Sequence, residues 1–314
     1  MSPFLSELRR FRIPLQTIQN ATNNFDESNL IGQGEFSKVY KGEFSHSQGQ
    51  TIVAVKRWSV DEEAEFLKEI MFLYDHTHEN IISLLGFSDE EKERILVYEY
   101  AQNKSLDCHL ADPMLTWVQR LKICLGAARG LEYLHNPRGT QLALHFDIKS
   151  ANILLDENLN AKISDIGFYK YGTATRNGSY IFSQVKGTLG YVDPVFLETM
   201  IYTKESDVYS FGVVLLEILC SRLCINKSYR DHDNRRYLVE WVKKSSKKVI
   251  WDDIIDSNLS RQMETDSFNT FVKLALQCVE KKPKHRPSMD LVVRTLESAL
   301  ENQVCFLYSL KKEQ

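Results

Sequence analysis

The sequence predicts an α+β fold in two lobes, a small β-rich lobe with one main helix and a larger lobe that is mainly α-helical. Three observations support this prediction. Residues 28–58 alternate between apolar and polar side chains around glycine-containing turns, which is typical of strands. Beyond residue 104 the apolar residues recur at helical spacing. The length of 314 residues exceeds the size at which a single hydrophobic core usually stops growing.

The first lobe begins as sheet and continues with one helix. A β-branched run at 51–55 ends at Lys56, which predicts a strand. Acidic residues at 61–63 favour a helix start, because carboxylates stabilise the positive end of the helix dipole. The apolar residues that follow at helical spacing predict the buried face of this helix as Leu67, Ile70, Met71 and Tyr74.

The boundary between the lobes follows a second strand pattern at 94–100 and a polar stretch at 102–105. In the larger lobe, apolar residues between 121 and 134 have helical spacing, and 211–219 is apolar on nearly all sides, as a helix inside a core would be. We therefore predict four segments: an N-terminal extension at 1–23, a domain at 24–300 with its first lobe at about 24–99, hinge at about 100–103 and second lobe at about 104–300, and a C-terminal tail at 301–314.

The composition argues against several classes of function. The net charge is −3, from 39 Lys and Arg against 42 Asp and Glu, which gives no sign of a nucleic-acid partner. The six cysteines stand singly, without the spacing of a disulfide framework or a zinc site, which fits a reducing compartment. No secretory signal is evident, and the longest apolar stretch is too short to span a bilayer. We expect a cytoplasmic chain without a transmembrane segment, and recruitment to the inner face of the plasma membrane stays open.

Two glycines near the start of the first lobe have the spacing of a phosphate-binding loop. Gly32 and Gly34 lie between Ile31 and Val39, and a glycine lets backbone amides approach phosphate oxygens without a Cβ in the way. Alone, this pattern is equally typical of a plain hairpin turn. The strand that ends at Lys56 favours phosphate binding, because it delivers an ammonium group to the same region.

A lysine in this position needs a carboxylate to hold it extended. Glu69 flanks the apolar stripe of the first helix, and we infer an ion pair between Lys56 and Glu69. The alternative is an exposed Glu69 beside Lys68.

A segment of the second lobe carries the remaining groups that phosphoryl transfer requires. This reaction needs oxygen ligands for Mg²⁺, a group that accepts the proton of the substrate hydroxyl, and positive charge on the transferring phosphoryl group. Asn152 and Asp165 suit the metal. Asp147 suits the hydroxyl, and Lys149 suits the phosphoryl charge.

With these motifs the chain resembles the eukaryotic protein kinase family, and within it the plant receptor-like kinases related to the interleukin-receptor-associated and Pelle kinases. The resemblance covers about residues 20–300 and implies the bilobal protein kinase fold. It implies ATP with Mg²⁺, or alternatively Mn²⁺, a protein substrate with a Ser or Thr hydroxyl, and a receptor or co-receptor kinase as a further partner. The stretches that indicate the subgroup include Leu96-Val97-Tyr98-Glu99-Tyr100 and Gly187-Thr188-Leu189-Gly190-Tyr191.

The resemblance assigns roles to the positions that match the family pattern. The backbone of Glu99 and Ala101 would hydrogen-bond the adenine beside a bulky gatekeeper residue, Tyr98. Lys149 and the substrate-positioning Thr188 match the Ser/Thr class and not the tyrosine kinases. The base would be sandwiched between the lobes by four apolar side chains, those of Ile31, Val39, Ala54 and Leu154.

Three departures from the family pattern lie in or beside the nucleotide and catalytic motifs. Ser37 stands in place of the third glycine, and Ile166 stands in place of the phenylalanine in the Asp-Phe-Gly motif. Phe146 replaces the arginine that precedes the catalytic Asp and that pairs with a phosphorylated activation loop in many kinases. Without this guanidinium, packing or other cations must order the loop.

A fourth departure concerns an ion pair. Val195 replaces a glutamate that normally pairs with an arginine at the position of Arg286. Either Asp193 or another acid compensates, or the region is less stable, because an unpaired buried charge costs several kcal/mol as an order of magnitude.

The sequence leaves more than one function open. We expect an active Ser/Thr kinase in plant receptor-linked signalling, because every required group is present. The alternative is a pseudokinase that binds ATP or acts as a scaffold, since the changes at Phe146, Ile166 and Val195 would record relaxed demands on the active conformation. A small-molecule phosphotransferase ranks last, because 187–194 and the helical tail resemble a surface that holds a peptide.

Overall fold

The computed structural model describes residues 8–34, 36–46, 49–59, 61–136, 141–166, 169–173, 180–230, 233–246, 251 and 254–312. The chain forms two compact units, Met1–Gln102 and Asn103–Gln314. The first is built on a β-sheet and the second is mainly helical, so the α+β prediction is confirmed. The boundary between the units falls within the segment proposed as a hinge.

The first unit is built on an antiparallel sheet of five strands. They are β1 (Leu30–Gln33), β2 (Ser37–His46), β3 (Gly49–Trp58), β4 (Leu84–Ser88) and β5 (Ile95–Glu99). Their order in the sheet is β1-β2-β3-β5-β4. Strand β3 continues past Lys56 to Trp58, and this places both side chains on one face of the sheet, because alternate residues of a strand share a face.

A short helix precedes the sheet and contributes to its core. Helix α1 (Leu15–Ala21) lies in the segment predicted as an N-terminal extension. Its Leu15 and Ile18 are 4% and 0% exposed and belong to one cluster with Tyr40 and Val53. The apolar face of the sheet is therefore covered by chain that precedes residue 24.

Helix α2 (Glu63–Asp75) lies where the sequence predicted a helix, and Ile70 of the predicted apolar face is buried, but two other residues of that face are not. Leu67 and Met71 are 48% and 47% exposed. The helix instead turns Glu69 inward, and side chains two positions away from it lie on the opposite side of a helix with 3.6 residues per turn. The buried residues are Phe66, Glu69, Ile70, Phe72 and Leu73.

The described part of the second unit is built from helices and three two-stranded ribbons. The helices are α3 (Trp117–His135), α4 (Pro194–Thr199), α5 (Lys204–Cys220), α6 (Leu238–Ser246), α7 (Ser257–Ser260), α8 (Thr265–Cys278) and α9 (Met289–Lys312). The ribbons pair β6 (Gln141–Leu144) with β9 (Lys170–Thr173), β7 (Ile153–Leu155) with β8 (Ala161–Ile163), and β10 (Tyr180–Phe182) with β11 (Ile201–Thr203).

Helix α5 is the centre of the second unit and is buried almost along its whole length, as its apolar sequence predicts. Gly212 allows α8 to approach it closely, because a Cβ there would lie 2.5 Å from the Cβ of Cys278. Within the described ranges no helix combines the length and the apolar character needed to cross a membrane.

Candidate active site

In the first unit, β3 and α2 bring Lys56 and Glu69 into a buried ion pair. The Nζ of Lys56 lies 3.0 Å from Oε2 and 3.3 Å from Oε1 of Glu69. Tyr98 on β5 donates its hydroxyl hydrogen to Oε1 of the same carboxylate over 2.6 Å. All three side chains are buried, and a buried pair with additional hydrogen bonds holds a defined geometry. The lysine is thus held in one position within this unit.

Trp58 also contacts Lys56, and the sequence analysis did not identify it. The Nζ of Lys56 lies 4.4 Å from the centre of the Trp58 ring. The sequence could have predicted this contact, because Trp58 is two positions after Lys56 and alternate residues of a strand lie on the same face.

The other first-unit residues proposed to bind nucleotide lie on adjacent strands. Gly32 pairs with Val39, Val39 pairs with Lys56, and Ala54 pairs with Tyr98 in the register of the sheet. Ile31 lies on β1, Gly34 follows that strand, Glu99 ends β5, and Ala101 comes shortly after.

The two loop glycines have room for a side chain. A Cβ at Gly32 or Gly34 would come no closer than 3.6 Å to any other described atom. The packing of the described residues therefore does not require glycine here. A ligand that needs close contact with the backbone would explain it.

In the second unit, Asp147, Lys149 and Thr188 form one hydrogen-bonded cluster. Thr188 Oγ1 donates to Asp147 Oδ1 over 2.7 Å and accepts from Lys149 Nζ over 2.9 Å. Lys149 Nζ also lies 2.8 Å from Asp147 Oδ2. A hydroxyl group thus lies against the Asp147 carboxylate and the Lys149 ammonium at once.

Asn152 and Asp165 are brought together by the β7–β8 ribbon. Asn152 precedes β7 and Asp165 comes shortly after β8, so both lie at the open end of this antiparallel pair. The main-chain amide of Ser164 donates to the carbonyl of Asn152 over 2.9 Å. The side-chain amide nitrogen of Asn152 donates to the main-chain carbonyl of Asp147 over 2.8 Å and to its Oδ2 over 3.2 Å. These bonds connect the candidate metal ligands to Asp147.

The remaining predicted residue, Leu154, lies on β7 and is partly buried.

Asp207 on α5 anchors the backbone that leads to Asp147. Its carboxylate accepts hydrogen bonds from the main-chain amides of His145 and Phe146, over 2.9 and 3.1 Å. His135 and Tyr202 complete its surroundings at 3.0 and 2.5 Å. Burial raises the pKa of Asp207, but the interactions with His135 and the hydrogen bond from Tyr202 outweigh burial, and its pKa lies below the ordinary value.

His145 connects the Asp147 segment to the segment before Asp165. Its Nδ1 accepts from the amide of Asp147 over 3.2 Å, and this places the ring proton on Nε2. Nε2 in turn donates to the carbonyl of Ser164 over 3.1 Å. The ring is fully buried and has a structural role.

Phe146, which the sequence analysis identified as a replacement for an arginine, lies in an aromatic cluster. Its ring stacks on Tyr202 with centres 3.8 Å apart and meets Phe196 edge-on at 6.2 Å. The ammonium of Lys170 lies 5.5 Å from the Phe146 ring and donates to Ser183 over 2.8 Å. The two replacements for the arginine that the sequence analysis named, packing and another cation, are therefore both present beside Phe146. The activation-segment residues 174–179, including Thr175 and Ser179, lie outside the described residues.

A second network, which the sequence analysis missed, ties the Thr188 loop to α5. Tyr191 donates to Oε1 of Glu217 over 2.6 Å, and the amide of Cys224 donates to the same oxygen over 2.7 Å. The hydroxyl groups of Ser150 and Tyr191 lie 3.2 Å apart. Burial is the main cause that raises the pKa of Glu217 to about 7.

Comparisons with known proteins show which family the sequence matches. A sequence model of the protein kinase domain matches residues 25–296. The receptor-like protein kinase HERK 1 of Arabidopsis thaliana is 45% identical over 300 residues, which is 93% of this chain and 35% of that protein. The receptor-like protein kinase THESEUS 1 of the same plant is 45% identical over 293 residues, 91% of this chain and 33% of that protein. The chain thus spans about a third of the length of these relatives.

Proposed function

This chain belongs to the protein kinase family, and from that membership we propose that it is an active Ser/Thr kinase that transfers the γ-phosphoryl group of ATP to protein hydroxyls. The observation that carries the proposal is the contact of the Thr188 hydroxyl with both Asp147 and Lys149. A substrate hydroxyl would meet the same two groups, one that accepts its hydrogen and one that carries positive charge.

The residues divide the work between binding and chemistry. Asp147 would orient the substrate hydroxyl and accept its proton, and Lys149 would stabilise the negative charge that develops on the phosphoryl group. Thr188 would position the loop that holds the substrate. Lys56, oriented by Glu69, would hold the phosphates that stay with the nucleotide.

We assign ATP binding to the residues that the family pattern matches. The phosphates would lie against the backbone at Gly32 and Gly34, where the described residues leave room. The adenine would meet the backbone of Glu99 and Ala101 beside Tyr98, with four apolar side chains around the base, those of Ile31, Val39, Ala54 and Leu154.

Asn152 and Asp165 have the chemistry that Mg²⁺ requires. One amide oxygen and one carboxylate are hard oxygen donors, and Mg²⁺ commonly takes one or two protein ligands and completes its shell with phosphates and water. Bound Mg²⁺ would neutralise phosphate charge, and Mn²⁺ accepts the same donors. Asn152 fits this role because its amide nitrogen is engaged with Asp147, which leaves its oxygen for the metal.

No observation favours the pseudokinase alternative. The three departures that suggested it are accommodated: Phe146 and Ile166 are buried, at 3% and 0% exposed, and Arg286 has a carboxylate partner. The groups proposed for catalysis are all present and hydrogen-bonded.

The names of the relatives support a proposal about the cellular context. Their names describe receptor-like kinases, and we propose that this chain acts in receptor-linked signalling on the cytoplasmic side of the plasma membrane, with a receptor or co-receptor kinase as partner.

Transfer of labelled phosphate from γ-labelled ATP to a generic protein substrate, or to the chain itself, tests the activity. Asp147→Asn should abolish the signal, because the amide cannot accept the proton. Asp156→Asn is a matched control, since the carboxylate of Asp156 accepts its hydrogen bonds from Asn158 and Asn160, within an exposed turn of the same unit. Equal signals from the wild type and Asp147→Asn would refute the proposal.

A further inference from the structure

Trp58 is buried although its side chain carries a polar N–H group that needs a hydrogen-bond partner. Only 8% of the residue is exposed, and its indole Nε1 has no hydrogen-bond partner among the described residues. A buried donor without a partner destabilises a fold, and native proteins keep few of them. Phenylalanine or leucine would fill an apolar site without this donor, so burial alone does not explain tryptophan at this position.

The contact with Lys56 does explain it. The ammonium lies 4.4 Å from the centre of the indole ring, within the range of a cation–π interaction. Tryptophan has the strongest such attraction among the aromatic side chains, and the attraction grows when the pair is shielded from water. Lys56 is 7% exposed, so this pair is shielded.

Main-chain hydrogen bonds hold the backbone from which the Trp58 ring projects. The Trp58 amide donates to the carbonyl of Arg94 over 2.8 Å, and the next amide, of Ser59, donates to the carbonyl of Phe36 over 2.8 Å. In the sheet, Trp58 pairs with Ser37, the first residue of β2 after the glycine loop. The main chain at Trp58 is therefore held by neighbouring chain on both sides, and on one side this chain follows the loop proposed to bind phosphate.

We propose that Trp58 is a positioning residue for the nucleotide: its ring and the Glu69 carboxylate together hold the Lys56 ammonium in the place where it binds the ATP phosphates. The role of Lys56 rests on the proposed kinase function. The role of Trp58 rests on its contact with Lys56 in this chain. Nucleotide binding tests this role, because binding does not require phosphoryl transfer.

Two substitutions separate the ring from the rest of the side chain. Trp58→Phe keeps an aromatic face with a weaker cation–π attraction, and Trp58→Leu removes it. We expect the Kd of a fluorescent ATP analogue to rise about threefold for Trp58→Phe and about tenfold for Trp58→Leu. Once activity is established, the KM for ATP should rise in the same order while kcat changes less, because Lys56 holds phosphates that do not react.

A double-mutant cycle shows whether the effect acts through Lys56. In a Lys56→Met background, Trp58→Leu should change the Kd by less than about 1.5-fold, because the cation is gone. An equal loss of affinity in both backgrounds would mean that Trp58 only supports the fold, and this would overturn the proposal.

Phe25 provides a matched control on the same sheet. The guanidinium of Arg57 lies 4.4 Å from the Phe25 ring, the same separation as in the Lys56–Trp58 pair, but Arg57 is the next residue on β3 and so faces the other side. Phe25→Leu should lower the melting temperature and leave the Kd of the analogue unchanged.

Tryptophan emission provides an independent measurement. Nucleotide binding should change the emission of the wild type and not that of Trp58→Phe, whose signal comes from tryptophans of the second unit. If Trp58→Phe loses as much affinity as Trp58→Leu, the indole N–H and not the ring carries the effect, and the proposal fails. If phosphoryl transfer is absent but the Kd follows the expected order, the kinase proposal fails and the role of Trp58 stands.

Discussion

The guanidinium of Arg286 and the carboxylate of Asp193 form a bidentate ion pair, with both nitrogen–oxygen distances 2.7 Å. The two side chains are 0% and 1% exposed. Val195 leaves Arg286 without the glutamate expected from the family pattern, and the acid two positions earlier takes that place. Of the alternatives that the sequence left open, compensation by Asp193 is the one observed.

We predict that Asp193→Asn is strongly destabilising. The change leaves the Arg286 guanidinium buried without a counter-charge, which typically costs about 3–5 kcal/mol. Asp193 also accepts a hydrogen bond from Ser206 and from the amide of Val195 at the start of α4. The free energy of unfolding in urea measures the loss.

Asp290→Asn is the control for this prediction, because its pair with Arg294 is 59% and 65% exposed. Its effect should stay within about 0.5 kcal/mol, as for most exposed pairs. A loss at Asp193 no larger than at Asp290 would contradict the importance of the buried pair.

Restoring the family arginine at position 146 should destabilise this chain. Phe146→Arg would place a guanidinium among Tyr202 and Phe196 and near the ammonium of Lys170, at a cost of about 3 kcal/mol or more. Phe146→Leu keeps the site apolar and should cost less, about 1–2 kcal/mol. Chemical denaturation compares the two variants. A tolerated arginine would show that the aromatic cluster is not what orders this region.

Glu217 predicts a dependence of stability on pH. Its pKa is raised from the ordinary 4.5 to about 7, mainly by burial, so the folded state binds a proton that the unfolded state has released at intermediate pH. The proton on Glu217 therefore contributes to the free energy of unfolding. This contribution is complete below about pH 4.5, is lost as the pH rises towards about 7, and amounts to roughly 3 kcal/mol.

Glu217→Gln removes this titration and keeps an oxygen that accepts from Tyr191 and Cys224. We expect the variant to be more stable than the wild type at pH 8, by about 1–3 kcal/mol, and to match it near pH 4. Thermal unfolding across this range measures the difference between the two proteins, and Glu301→Gln, at an exposed position of α9, controls for the general loss of a charge. Parallel pH curves for the wild type and Glu217→Gln would rule the titration out.

Helix α1 should contribute to the stability of the first unit although it precedes the segment matched by the family model. Ile18 is 0% exposed in the cluster with Tyr40 and Val53, and Ile18→Ala should cost about 2–5 kcal/mol. Gln16→Ala, at an exposed position of the same helix, should have little effect. Melting temperatures of the two variants decide the matter, and equal values would show that α1 is not part of the cooperative unit.

Local patterns predicted more of the fold than of the contacts. The apolar segment 211–219 lies inside helix α5, and the β-branched run at 51–55 lies inside β3, because each pattern reflects an element that is buried in its own unit. The buried face of α2 was predicted correctly at Ile70 and wrongly at Leu67 and Met71, since Glu69 turns inward to Lys56 and rotates these two side chains outward. Helical spacing counts apolar residues and does not register a carboxylate that a distant lysine draws into the core.

The sequence by itself determined that this chain is a kinase-family protein with sheet first and helices after, and it identified the groups proposed for catalysis. It could do so because Asp147, Lys149 and Asn152 stand close together along the chain, and short-range geometry brings them to one place. The tertiary structure alone decided that Asp193 pairs with Arg286 and that Phe146 stacks on Tyr202. These contacts join residues distant in sequence, and their geometry depends on how helices and strands are rotated in the packed core.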